Sequence, residues 1–72
     1  MQKYKFNFYS RLMLQTITVY GSMAQDWNKN IFKVDKIINN NKQSIVSGEV
    51  HEEACEHFEN NKASIVKESV DF

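Results

Sequence analysis

The chain has no proline, two glycines and one cysteine among its 72 residues, and its formal charge is zero. Each scarcity closes a class of protein. A lone cysteine forms no internal disulfide framework and leaves no four-thiolate zinc site. With Gly21 and Gly48 the only glycines, there is little room for a glycine-rich loop that cradles phosphate. Nine Lys or Arg against nine Asp or Glu exclude a uniformly basic nucleic-acid coat and a uniformly acidic tail. No apolar run approaches the ~18–20 residues of a membrane span. Lys3, Lys5 and Arg11 followed by Leu12 to Tyr20 and Ser22-Met23-Ala24 imitate a secretory leader. Gln15, Thr16 and Thr18 interrupt that apolar stretch, so it reads as a strand, and the expected location is the cytoplasm.

What is present suffices for a fold. Hydrophobic residues make up 42% and aromatic residues 12% of the chain, which argues against disorder. The length suits a single domain over residues 1–72, with a core of modest size. Charge is unevenly placed. Residues 1–46 hold seven Lys or Arg against two Asp, a net of +5, and residues 47–72 carry −5. Such asymmetry bears on association rather than on fold.

Tyr4, Phe6 and Phe8 alternate with Lys5 and Asn7, the period of a half-buried strand. Between Leu12 and Tyr20, Ile17 and Val19 share one face while Thr16, Thr18 and Tyr20 share the other. The pattern predicts an antiparallel hairpin of residues 3–9 and 12–20, turning at Ser10-Arg11. Met23, Trp27, Ile31, Val34 and Ile38 then fall at helical spacing, with Lys29, Lys33 and Lys36 opposite. Ser22 and Gln25 form a capping-box pattern, and Asn39-Asn40-Asn41 makes a stop. The spacing predicts a helix over 23–38. Ser44 to Val50 reads as a strand, Glu52 to Asn60 as a second helix, and Ser64 to Val70 as a final strand. Asn40 to Val46 and Asn60 to Val66 agree at six of seven positions. This echo suggests the same local structure in both, a duplicated helix-turn-strand unit.

The expected fold is therefore a small α+β domain of order ββαβαβ, with two helices on one face of a short sheet. The alternative is an all-α bundle, because Phe6, Tyr9, Met13, Ile17 and Tyr20 also fit helical spacing. Phe32, Val66 and Phe72 have no evident place in such a core, so self-association or a partner is expected to cover them.

Three clusters bear on function. His51 and Cys55 stand i, i+4 on the acidic helix, close enough to share a metal ion. His51-Glu52 opens like the H-E-x-x-H motif of zinc proteases, but Cys55 stands where a histidine is needed. His57 points about 120° from Cys55, since each residue turns ~100°. No other His or Cys exists to complete a site. The reading is a core cysteine, no metal, no cofactor, no catalytic residues and no enzyme. The second cluster is Lys3, Lys5, Tyr9 and Arg11, cations interleaved with rings as in single-strand binding platforms. The third is the glutamate face, Glu49, Glu52, Glu53, Glu56 and Glu59, suited to dock on the basic, nucleic-acid-binding surface of a protein partner.

The hairpin ending Thr16-Ile17-Thr18-Val19-Tyr20 and the run from Ser44-Ile45-Val46 through the acidic helix to Phe58 resemble small phage-encoded inhibitors of the anti-CRISPR and host-takeover kind. The resemblance lies in topology and composition. It implies a stoichiometric protein binder without a cofactor, acting in a bacterial cytoplasm. The chain departs from many such inhibitors in being neutral overall. The leading expectation is thus a protein-binding module using the glutamate face. Single-stranded nucleic-acid binding through the N-terminal strand is the alternative.

Overall fold

The computed structural model describes residues 2–65. Three strands, β1 (Gln2–Ser10), β2 (Gln15–Asp26) and β3 (Lys29–Ile38), form an antiparallel sheet in chain order. One helix, α1 (Gly48–Asn61), follows and packs on one face. The ββαβαβ order is corrected to βββα, and the all-helical alternative falls with it.

Register explains the faces. Phe6 pairs with Val19 and Phe8 with Ile17, while Val19 pairs with Ile37 on the other side. Directly opposed residues point to one face. Phe6, Phe8, Ile17, Val19, Phe32 and Ile37 therefore form the floor on which Val50, Ala54 and Phe58 of α1 are buried. The helix presents these three at i, i+4 and i+8, the spacing of one helical stripe. Full burial of an aromatic or aliphatic side chain contributes about 1.5–3 kcal/mol, so this floor carries most of the stability. The Phe32 and Phe58 rings stack with centroids 4.1 Å apart, and Tyr4 meets Phe58 edge-on at 5.2 Å.

The helix expected over 23–38 is instead the second hairpin. Its strand alternation is masked in the sequence. Register shifts between Tyr20 and Gly21, so that Lys36 opposes Tyr20 but Val34 opposes Gly21, leaving Asp35 as the extra residue of a bulge. Phe32 and Val34 before the bulge and Ile37 after it share the core side, and strict alternation is lost. Ser22 lies within β2 rather than capping a helix, and Phe32 is buried. Gly21 has a packing role at the same place. A Cβ there would strike the Phe32 ring and lie 2.7 Å from the Lys33 carbonyl oxygen. Glycine lets that ring lie against the central strand.

The first turn is longer than the expected Ser10-Arg11 connection, and the second falls where a helix was expected. Residues 11–14 connect β1 to β2, and the Leu14 amide donates to the Ser10 carbonyl at 2.8 Å. Trp27 and Asn28 connect β2 to β3, both with positive φ, 51° and 68°. Two left-handed central residues are what a type I′ turn demands. Asn tolerates that region, whereas a left-handed Trp costs about 1–2 kcal/mol.

Beyond β3, Asn39 Oδ1 accepts from the amides of Asn41 and Gln43, which turns the chain. The strand expected over Ser44–Val50 shrinks to a single bridge between Ile38 and Ser44, and α1 begins at Gly48. The two copies of the sequence echo part company, since Asn40 lies in a turn after a strand while Asn60 and Asn61 are the last residues of a helix. The strand expected over 64–70 lies outside the described residues but for Ser64, in a turn, and Ile65. The helix expected over 52–60 is present and four residues longer at its start.

Candidate nucleic-acid interface

The sheet face turned away from α1 collects the lysines. By register, Lys5, Tyr20 and Lys36 form one row across the three strands, and Lys3, Ser22 and Lys33 form the next. Lys29 pairs with Asp26 at the far end of the same side. Five of the seven basic residues in the N-terminal 46 thus share one face. Geometry bears out the row, because the Lys5 and Lys36 ammonium nitrogens sit 5.6 and 4.7 Å from the Tyr20 ring centroid. These are cation–π distances, and they hold two positive charges in convergence over one ring. Beyond this row lie Asn7 and Thr18, whose hydroxyl donates to Asn7 Oδ1 at 2.7 Å, and then Tyr9, 60% exposed. Asp26 is the carboxylate on this side of the paired strands, while Asp35 occupies the bulge.

Of the N-terminal set, Lys3, Lys5 and Tyr9 are brought together on this face. Arg11 is not. It belongs to the first turn, where it lines a depression with Glu53 and Glu56. Lys29, Lys33, Lys36 and Tyr20 were missed as site residues because the first three were assigned to a helix. The available signal was lysine spacing of four and then three residues, which one bulge converts into a single strand face.

The glutamates lie on the helix, on the other side of the molecule. Glu49, Glu52, Glu56 and Glu59 are exposed, and Glu59 pairs with Lys62 at 3.4 Å. Glu53 is engaged inside the structure. Its carboxylate accepts from the buried Ser10 hydroxyl and, at 2.7 Å, from the Arg11 amide. Ser10 Oγ in turn accepts from the Met13 amide at 3.0 Å, so one carboxylate fastens the first turn to the helix.

The histidine–cysteine cluster is dispersed. His51 Nε2 lies 3.2 Å from the Ile45 carbonyl oxygen, and the Cys55 thiol points at the Phe32 carbonyl oxygen. Burial pushes the Cys55 thiol above its ordinary pKa of 9.0, and Glu59 and Glu52 push the same way. A thiol so placed stays protonated at neutral pH and is a poor nucleophile. His57 stacks on Phe8 and Phe6, with centroids 4.8 and 5.6 Å away, and burial lowers its pKa from 6.5 against a smaller opposing pull from Glu53. Among the described residues no group of three or more His, Cys, Asp or Glu is placed to hold a metal ion. No described helix is long and apolar enough to cross a membrane.

Comparison with protein-family models, curated proteins and solved structures yields no match. The functional reading therefore rests on the site itself.

Proposed function

We propose that this chain is a small binding module whose lysine-rich sheet face holds single-stranded nucleic acid. The observation that carries the reading is the convergence of Lys5 and Lys36 on Tyr20, flanked by Lys3 and Lys33 on the same sheet face. A backbone of phosphates needs a track of cations, and bases need exposed rings such as Tyr9. The sheet supplies both on one rigid surface. This reading fits a protein of the cytoplasm.

A second reading keeps the glutamates. Glu49, Glu52 and Glu56 are exposed on the outer side of α1. They suit a stoichiometric inhibitor of phage type that docks on the basic surface of a bacterial protein complex. It ranks second because Glu53 is committed to the first turn and Glu59 to Lys62.

One experiment separates the two. Anisotropy of a labelled oligothymidylate is measured with the wild type, Lys5→Glu with Lys36→Glu, and Glu52→Lys with Glu56→Lys. The lysine reversals are expected to abolish binding at low salt, and the glutamate reversals to strengthen it. The logarithm of the binding constant should fall with that of salt at a slope of about −3 for four phosphate contacts. Absence of wild-type binding at low salt overturns the nucleic-acid reading.

A further inference from the structure

The β2–β3 hairpin outruns β1. The β1 pairing ends at Met23, and β2 and β3 continue as a two-stranded ribbon from Ala24 and Ile31 to the turn at Trp27-Asn28. Every residue from Gln25 to Asn30 is exposed. At the tip stands the chain's one tryptophan, 90% exposed and in the left-handed region. A bulky residue with positive φ is unfavourable, and nothing in the packing offsets it, because Trp27 belongs to neither the core nor its margin. Glycine or asparagine would make the turn more easily. Strain held at an exposed position points to a task outside the fold.

We propose that Trp27 is a base-stacking anchor, holding one unpaired base of a single-stranded nucleic acid against its indole while Lys29 and Lys33 take neighbouring phosphates. The inference rests on the reading of the lysine face and extends it to the hairpin tip. Lys29 and Lys33 lie on that face at register positions leading from Tyr20 to the turn, so the cationic track runs to the indole. Indole stacks on any base, which suits a chain with no glycine-rich or base-reading motif. The neighbours of Trp27 decide against a membrane or an apolar protein pocket. Gln25, Asp26, Asn28, Lys29 and Asn30 surround it with polar groups, whereas an inserting tip brings several apolar side chains together.

The single tryptophan makes the test direct. Its emission is followed while a short oligothymidylate, or an abasic phosphodiester chain of equal length, is titrated in. Anisotropy of each labelled chain is read in parallel. The expected result is quenching by the oligothymidylate alone. Trp27→Ala and Trp27→Gly should each weaken the oligothymidylate about tenfold and leave the abasic chain unaffected, while Trp27→Phe keeps most of the affinity. Trp27→Gly should also melt at a higher temperature than the wild type, which separates the contact from the fold. Oligothymidylate binding with unmoved emission, and equal affinity in Trp27→Gly, overturns the anchor and leaves the lysine face standing. No binding of either chain at low salt overturns both. A blue shift on anionic lipid vesicles without a response to oligothymidylate assigns the tip to membranes and overturns the anchor.

Discussion

On one side of the sheet, Phe6 and Phe32 meet Phe58, and Phe8 adjoins Phe6 in the same aromatic cluster. On the other, the same three strands carry five lysines and two tyrosines. Both sides are set by the same strand register, so the difference is chemical. The covered side gains by excluding water, and each ring there has neighbours to lose. The lysine side sets charges against a ring, with Lys5 and Lys36 on Tyr20. Stability should therefore be concentrated on the first side and recognition on the second.

The strongest way to break this division is Phe58→Ala. Phe58 touches Tyr4, Phe6 and Phe32, and its removal is expected to cost about 3–5 kcal/mol, enough to unfold much of a domain this small. Urea denaturation checks it, and a loss below about 1 kcal/mol would show that the helix contributes little. Gly21→Ala comes next. The added methyl meets the Phe32 ring and the Lys33 carbonyl from the core side, with an expected cost of about 1–3 kcal/mol and a lowered urea midpoint. A neutral result would mean that the Phe32 ring moves aside freely.

The smallest effect is one of pH. His57 lies against the aromatic side with its pKa lowered by burial. Below the ordinary value near 6.5 the unfolded chain binds the proton before the folded one does, so stability is full above that pH. It declines as pH falls from about 6.5 toward the lowered folded value. Thermal melts between pH 7.5 and 5.5 should show this decline, and His57→Gln should flatten that part of it. A wild-type profile that is level over the range would contradict the stacked, neutral imidazole.

Much of the covered side was legible in the chain. Tyr4, Phe6 and Phe8 declare their face by alternation, as do Ile17 and Val19, and the apolar stripe Val50, Ala54, Phe58 declares the helix. The second hairpin was hidden for two physical reasons. Its turn is Trp-Asn, which lacks the glycine that marks a type I′ connection. Its bulge at Asp35 adds one residue, so Phe32 and Val34 before it and Ile37 after it break the two-residue alternation that marks a strand. The same bulge concealed half of the lysine face. Lys3, Lys5 and Tyr9 could be read from β1, but Lys33 and Lys36 join them only when β3 is a strand with an odd residue in it. Nothing local in the chain marked Glu53 as the fastening of the first turn, since Ser10 lies 43 residues away.

Placing lysines on one side and glutamates on the other gives a neutral molecule a large electric dipole moment. Net charge then misdescribes it. Near its isoelectric point such a protein adheres at low salt to both cation- and anion-exchange surfaces, presenting a different side to each. Orientation by such a charge separation fades once the screening length drops to about 10 Å near 0.1 M salt. A charged surface would also turn the molecule before touching it, so that the side meeting the surface is chosen during approach.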